Sequence, residues 1–337
     1  MATIGATYQT MLDYAKRLTP DGQSIADVIE VLAASNPIVA DANVMEGNMA
    51  TGHMFVQRTS QPTGSWRKLN YGVAAEKSTT DQFTDFCAIL ESYSEVDVDI
   101  ASLGGNAAAY RASEDMAFVA GMGGTLATAL FYGNQGTDPE QPHGLSPRYN
   151  STTGSTGSQI IDCSGSGSDN TSIWLITWGE RTCSLIYPKG SQAGLVQKDM
   201  GATISTDSNS LKHEVYTTKF QWKVGLTIPD YRHVIRICNI DVSDLTNDAA
   251  TGADLVTALI DAYYARPTEV VAMEEAGMAK SYWYCNKTIA AYLHKQALVP
   301  TNVVLTLDTV AGKPFTRALG APVRICDAIV NTEAAVS

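Results

Sequence analysis

Residues 106–133 read NAAAYRASEDMAFVAGMGGTLATALFYG and form the longest helical pattern in this sequence. Alanines, which favour helix, fill many positions, and larger apolar residues recur at steps of three and four. This apolar series is Met116, Val119, Met122, Leu126 and Leu130. The pattern predicts one helix from Asn106 to Tyr132, about 40 Å long, with Gly133 and Asn134 at its end.

Three glycines, Gly121, Gly123 and Gly124, interrupt the interior of this helix. Each costs about 1 kcal/mol relative to alanine, so a bend or a close backbone contact is expected there. They do not form a GxGxxG nucleotide-binding motif, because Leu126 stands where the third glycine would be. Packing explains them better than phosphate binding.

The segment before the helix, residues 47–75, is punctuated by glycines and predicts a β-hairpin. Residues 60–65, SQPTGS, are expected to turn the chain, since Pro and Gly suit fixed or positive φ. Arms of this length would project on the order of 30 Å. A two-stranded ribbon is marginal in water by itself. We therefore expect this ribbon to lie on another surface.

Charge changes sign along this part of the chain. Residues 47–73 contain Arg58, Arg67 and Lys68 and no acidic residue, whereas residues 81–115 carry many acids with Arg111 as the one base. Two interpretations remain open at this point. The basic ribbon meets an acidic face, or it is a solvated loop beside one.

The remaining segments mix helices with strands. Two short helices are predicted at residues 8–17 and 24–34, and they need another surface to dock on. Residues 149–172, rich in Ser, Thr and Gly, are expected to form an exposed loop. Strands are predicted at 173–178 and 184–187, as a hairpin, and at 220–228, 233–240 and 322–330; helices begin after Asp254 and Asn286. This mixture without regular βαβ alternation indicates an α+β fold.

Composition excludes several classes of protein. The 337 residues are 45% hydrophobic with a net charge of −12, which argues against a protein that wraps nucleic acid. Six widely spaced cysteines form no CxxC pair and are interpreted as free thiols. We find no signal-peptide pattern and no apolar run long enough to cross a membrane.

Motifs of catalysis and cofactor binding are missing from the sequence. The five histidines show no metal-ligand spacing, Gly312-Lys313 is followed by Pro314 instead of Ser or Thr, and no GxSxG occurs. We predict no cofactor, no metal and no enzymatic activity. A glycan-acting hydrolase with the Ser/Gly loop as a lid stays an alternative, and a tail or adhesin subunit is another.

Three stretches carry a resemblance to a known family. They are IWLITWG at 173–179 leading to YPKGS at 187–191, YWYCNKTIAAYL at 282–293, and LGAPVRI at 319–325 with Asp327 and Thr332-Glu333. Together with the ribbon and the long helix, they resemble the major capsid proteins of tailed bacteriophages, which have the HK97-type fold. The strand block of residues 173–240 precedes the Asn286 helix, so the order of segments looks permuted relative to that family.

The resemblance implies a division of the chain. Residues 1–46 would be an N-terminal arm, 47–78 an extended loop, 79–133 a peripheral domain with the spine helix, 134–312 an axial domain with returning peripheral strands, and 313–337 a C-terminal peripheral strand. Contacts between subunits would be made by the extended loop and the acidic segment. The candidate residues are Met54, Phe55, Val56, Arg58, Trp66, Arg67, Lys68, Leu69, Glu91, Glu95, Asp97 and Asp99.

The implied function is mechanical. Copies would assemble as hexamers and pentamers into an icosahedral head around double-stranded DNA, in the bacterial host cytoplasm, and would reside in the virion capsid. Partners would be the chain itself, with scaffolding, portal and cement or decoration proteins as further candidates, weak nonspecific contact with DNA, and no membrane. Some relatives cross-link through a lysine, but nothing in the sequence identifies a partner for Lys68.

Overall fold

The computed structural model describes residues 36–103, 105–206, 209–246, 252–297, 305–310 and 313–337. The helices predicted at residues 8–17 and 24–34 lie outside these ranges. The helices of the described chain are α1 Ile38–Asp41, α2 Val98–Ser102, α3 Ala107–Tyr132, α4 Leu145–Arg148, α5 Leu255–Tyr264, α6 Glu269–Glu275 and α7 Lys287–Ala297.

Its strands form two larger sheets and one ribbon. They are β1 Val44–Glu46, β2 Gly52–Ser60, β3 Thr79–Phe86, β4 Ala88–Asp97, β5 Ile160–Asp162, β6 Asn170–Gly179, β7 Ser184–Tyr187, β8 Leu195–Thr206, β9 Lys212–Thr227, β10 Val234–Asp241, β11 Ala279–Cys285, β12 Leu305–Val310, β13 Lys313–Ala318 and β14 Ala321–Ile325. The fold is therefore α+β, as predicted. Within these ranges, no helix is both long and apolar enough to cross a bilayer.

The larger sheet has seven strands in the order β12-β13-β14-β11-β6-β10-β5. Strand β6 lies inside it and is buried along its whole length. Its side chains alternate between two apolar cores, so Trp174 packs with α3 while Leu175 packs with α5 and α7. A sheet covered on both faces needs such a continuously apolar strand, which is why IWLITW was recognisable in the sequence.

The second sheet is organised by β9, whose 16 residues pair with β4 on one side and with β8 and then β7 on the other. Strand β1 continues it in parallel beside β7. Helix α3 lies across one face, where Phe118 stacks on Phe220 with ring centroids 6.4 Å apart. Strands β3, β4 and β8 were not predicted from the sequence, because their many polar residues obscure the alternating pattern.

Helix α3 confirms the predicted long helix. Asn106 caps it, with its side-chain oxygen accepting from the Ala109 N–H at 3.1 Å. The expected close contact at Gly121, Gly123 and Gly124 is wrong for the described part of the chain, since a Cβ at any of them would meet nothing within 4 Å. The apolar stripe is also only partly buried: Met122, Leu126 and Leu130 are in the core, whereas Met116 and Val119 are exposed.

The predicted hairpin of residues 173–178 and 184–187 is wrong in its pairing. Both strands exist, but β6 pairs with β10 and β11, while β7 pairs with β1 and β9 in the other sheet. A bond from the Thr182 N–H to the Gly179 carbonyl turns the chain between them. The tight turn thus passes the chain from one sheet to the other, which local sequence cannot show.

The exposed loop predicted at residues 149–172 is also partly wrong. This segment includes β5 and the start of β6, and Thr171 and Ser172 are fully buried. Their hydroxyls are satisfied by the C-terminal tail, since Thr171 donates to the Val330 carbonyl at 2.8 Å and Ser172 to the Glu333 carboxylate. Polar composition therefore did not mean exposure.

The predicted helix caps are confirmed, but the last strand is shorter than expected. Asp254 accepts from the Thr257 N–H at 3.0 Å and Asn286 from the Ile289 N–H at 2.9 Å. Strand β14 ends at Ile325 instead of Val330, because the chain then turns with an Ile329 N–H to Cys326 carbonyl bond. The tail to Ser337 packs back across β6 and β10.

Candidate subunit-contact site

The projecting ribbon is built from β2 and β3, which are antiparallel. Phe55 and Phe83 face each other across the pair, with ring centroids 5.9 Å apart. The predicted return arm, residues 66–75, is wrong, since the true return arm is Thr79–Phe86. Cross-strand pairs such as Phe55 with Phe83 fix the register of β2 against β3. In this register Ser60 pairs with Thr79, so the connection between the arms is residues 61–78 and is longer than the SQPTGS turn.

That connection, residues 61–78, is called the tip here. It contains no regular helix or strand. The Glu76 carboxylate accepts from the Thr63 and Gly64 N–H groups at 2.9 and 3.1 Å, and the Tyr71 N–H donates to the Lys68 carbonyl. These bonds link the two ends of the tip and close a turn within it.

Large apolar side chains on the tip point into solvent. Trp66 is 104% exposed and Leu69 87%, and Tyr71 and Val73 are also exposed. Val56, on β2, is exposed as well, whereas Met54 and Phe55 are half-buried within the ribbon. A cluster of exposed aromatic and aliphatic groups of this kind is typical of an interaction surface.

Charges on the ribbon differ in part from the sequence expectation. Asp81 and Asp85, which were counted with the acidic segment, lie on the return strand β3. The tip itself carries Arg67, Lys68 and Lys77 against Glu76, and Arg58 is exposed near it. The outer end of the ribbon is therefore basic, while its root contains a buried acid.

The four acidic candidates lie on β4 and α2, and most already have partners. Glu91 accepts from Lys219 at 2.8 Å and from the Tyr93 hydroxyl at 2.6 Å; the hydrogen bond from Lys219, followed by that from Tyr93, lowers the Glu91 pKa to about 2. Glu95 accepts from Ser205 at 3.0 Å. Asp97 caps α2 through the Asp99 N–H at 2.8 Å, and Asp99 is exposed. Because most of these carboxylates already have hydrogen-bond partners within the subunit, they would attract a basic partner mainly through their combined negative charge.

Apolar grooves that the sequence did not reveal flank helix α3. One, of about 580 Å³, lies between α3 and β8–β9; Met116, Val119 and Phe220 line it, and the Arg111–Asp199 ion pair at 2.6 Å closes one end. Two others, of about 510 and 460 Å³, lie between α3 and β4. For the first groove, the apolar spacing of Met116 and Val119 was the sequence signal, and it was interpreted as core.

The root of the ribbon, where it joins the body of the subunit, contains contacts that no sequence motif predicted. The Asp85 carboxylate accepts from Arg148 Nη2 at 2.8 Å and from the Ile228 N–H at 3.3 Å. Further out, Gln57 Nε2 donates to the Pro229 carbonyl at 3.0 Å. These partners are far apart in sequence, so only the folded chain brings them together.

Asp230, His233 and Glu269 are a group of potential metal ligands, with ligand atoms within 4.8 Å of one another. Arg232 lies among them. Its guanidinium donates to both Asp230 oxygens and to Glu269 at 3.3 Å. A cation already neutralises these carboxylates, so the group is better explained as an ion-pair cluster.

Comparison with known proteins identifies the family. The family model for Major capsid protein GP7 matches residues 19–337. The chain belongs to this family of major capsid proteins. It is similar to a solved structure of bacteriophage Epsilon15, with 37% sequence identity and a TM-score of 0.80 over 100% of this chain and 99% of that chain.

Other solved structures are similar to the chain at lower scores. The bacteriophage JBD30 capsid has 11% identity and a TM-score of 0.46, covering 89% of this chain and 93% of that one. The SrpI encapsulin of Synechococcus elongatus has 10% identity and a TM-score of 0.44, covering 65% and 92%. No match to a curated protein was found.

The predicted class of protein is confirmed. This major capsid protein has the HK97-type fold, performs a structural role and assembles with copies of itself in the virion capsid. It is not an enzyme, so the hydrolase alternative is wrong, and so is the tail or adhesin alternative. The permuted order of segments stays a prediction.

Proposed function

We propose that copies of this chain form hexamers and pentamers that close an icosahedral head around double-stranded DNA, and that the tip of each ribbon contacts a neighbouring copy. One observation carries the proposal. Trp66 and Leu69 lie at the end of a projecting ribbon, and their own subunit leaves them exposed. An isolated ribbon is marginal in water, so such an end gains most by packing on another molecule.

Apolar burial would supply most of the energy of this contact. Each Å² of apolar surface removed from water contributes about 25 cal/mol. Exposed ion pairs contribute about 0–1 kcal/mol each, so the basic residues mainly steer and align the contact. Interfaces that are individually weak allow errors in assembly to be corrected, and many of them together hold the shell.

The acidic face of the neighbouring subunit is the proposed receiving surface. Glu91 and Glu95 lie on strand β4, with Asp97 at its end and Asp99 just beyond. Glu91 and Glu95 already form hydrogen bonds within their own subunit. Their contacts with the neighbour's Arg58, Arg67 and Lys68 would therefore align the two subunits more than they would raise the affinity. Met54, Phe55 and Val56 would support the tip from the ribbon side.

The division into arm, extended loop, peripheral and axial segments is part of the proposal, with the ranges 1–46, 47–78, 79–133, 134–312 and 313–337. Scaffolding, portal and decoration proteins are proposed as further partners. The net charge of −12 supports only weak nonspecific contact with the enclosed DNA, because a basic wall would hold it.

Electron microscopy of the purified protein tests the proposal. We expect the parent protein to form closed shells and the double variant Trp66→Ala with Leu69→Ala to stay unassembled while folded. The matched control is Tyr264→Ala, which removes an aromatic residue that is 76% exposed on the subunit body. Shells of normal size from the double variant would contradict the proposed role of the tip.

A further inference from the structure

The ribbon is joined to the body without a shared sheet. In the part of the chain that the structure describes, β2 and β3 pair only with each other, whereas the other strands belong to the two larger sheets. Ladders of backbone hydrogen bonds therefore do not fix the angle at which the ribbon leaves the body. That angle depends on the one-residue link, Cys87, between β3 and β4, and on contacts at the root.

The ion pair of Asp85 and Arg148, called the root pair here, is the strongest of these contacts. Asp85 is 7% exposed and lies next to the end of β3, with Arg148 Nη2 at 2.8 Å from its Oδ1. Its other oxygen accepts from the Ile228 N–H. The same Arg148 nitrogen also donates to the carbonyls of His143 and Leu226. One carboxylate thus ties the ribbon both to α4 and to the end of β9.

A second, weaker tie lies further along the ribbon. Gln57 Nε2 donates to the Pro229 carbonyl at 3.0 Å, a neutral bond that is part-buried. From Arg58 to Phe83, every residue is exposed. The body therefore holds the ribbon near its root, and among the described residues the charge-assisted bonds there, which are stronger than neutral ones, are those of Asp85.

We propose that Asp85 is a positioning residue for assembly: through Arg148 it fixes the direction in which the ribbon projects, so that the tip meets the next copy in the geometry a closed shell requires. This inference rests on the proposed function of the tip. A ribbon about 30 Å long acts as a lever, and a rotation of about 10° at its root moves the tip by about 5 Å. Repeated contacts between different surfaces close into a shell only when their angle is held.

Three variants separate positioning from stability. Asp85→Asn removes the charge and leaves the Arg148 guanidinium buried without its counter-charge, so it should lower both thermal stability and order at the root. The pair Asp85→Asn with Arg148→Met removes both charges, and much of the stability should return, because removing one charge of a buried pair costs more than removing both. Asp81→Asn removes one charge from an exposed site on the same strand and is the matched control.

The direction of the ribbon can be measured on the unassembled subunit. Spin labels are attached at Leu69→Cys on the tip and Glu180→Cys on the exposed β6–β7 turn, and double electron–electron resonance gives their distance distribution. We expect one narrow distribution for the parent and for Asp81→Asn. Asp85→Asn and the double variant should both shift and broaden it, although the double variant should regain most of the stability of the parent. A narrow, unshifted distribution for the double variant would overturn the proposal.

Shell formation by the same variants, without labels, completes the test. We expect both root variants to give irregular or open assemblies and Asp81→Asn to give normal shells. Normal shells from the double variant, despite a broadened distribution, would overturn the assembly role of Asp85 and leave the proposed role of the tip intact. Normal shells from the Trp66 and Leu69 variant would instead contradict the function on which this inference rests.

Discussion

Glu333 and Arg236 form a nearly fully buried ion pair, with Arg236 Nη2 at 2.7 Å from Glu333 Oε2. The other Glu333 oxygen accepts from the Tyr132 hydroxyl at the end of α3, at 2.5 Å. Burial, and then the charge of Glu333, raise the Tyr132 pKa far above its usual range, so this hydroxyl stays a donor. The pair therefore fastens the C-terminal tail to both the seven-stranded sheet and helix α3.

Removing the Glu333 charge should destabilise the subunit strongly. Glu333→Gln leaves the Arg236 guanidinium buried without its counter-charge, which costs about 3–5 kcal/mol in comparable sites. Urea denaturation of the unassembled subunit measures the free energy of unfolding. Glu180→Gln, at an exposed turn, is the control and should change it by no more than about 0.5 kcal/mol. Equal effects of the two variants would contradict the prediction.

Alanine at Gly121 should stabilise the isolated subunit. The residue lies inside α3 and a Cβ there meets nothing within 4 Å, so the helix gains about 1 kcal/mol in propensity. Gly52→Ala is the contrasting variant, because its Cβ would lie 2.0 Å from the Asp85 carbonyl oxygen, and it should destabilise. The same denaturation measurement compares them. A loss of stability in Gly121→Ala would show that the helix needs glycine for a reason within the subunit.

The helix caps Asn106 and Asn286 should contribute different amounts to the free energy of unfolding. Asn106 is exposed and caps α3 with one bond, so Asn106→Ala should cost about 1 kcal/mol. Asn286 is buried, caps α7 and also donates to the Thr171 hydroxyl at 2.9 Å. Asn286→Ala should therefore cost about 2–3 kcal/mol, since buried polar partners are left unsatisfied. Equal costs, measured by denaturation, would contradict this ranking.

The native thiols should react slowly in the folded protein. Burial raises the pKa of Cys87 to about 11, helped by the Asp85 charge, and burial raises that of Cys163 to about 12. A raised pKa means less thiolate at neutral pH, and thiolate is the species that reacts with maleimide. Mass spectrometry should find little labelling in the folded subunit and six labels after denaturation, whereas Leu69→Cys should react at once. Rapid labelling of Cys87 or Cys163 in the fold would contradict it.

The interpretation of the cysteines as free thiols is confirmed, and the structure adds the reason. The Cys163 N–H donates to the Cys238 carbonyl, yet the two side chains pack on opposite faces of the sheet. The same holds for Cys285 and Cys326. Neighbouring strands thus bring these cysteines close without allowing them to bond.

The sequence by itself determined what depends on near neighbours in the chain. The bounds of α3, the caps at Asp254 and Asn286, and the buried strand β6 follow from spacing and side-chain chemistry within a few residues. The resemblance that indicated a capsid protein also lay in short stretches of sequence.

Only the tertiary structure decided which strands pair and what meets at their ends. Strands β6 and β7 belong to different sheets, Thr79–Phe86 returns the ribbon, and Asp85 meets Arg148 from another part of the chain. Alternation of apolar and polar residues along a strand predicts which side chains face a core, but it does not predict which strand pairs with it. Strand pairing depends on how the whole core packs, because the residues that bury one face of a strand are distant from it in sequence.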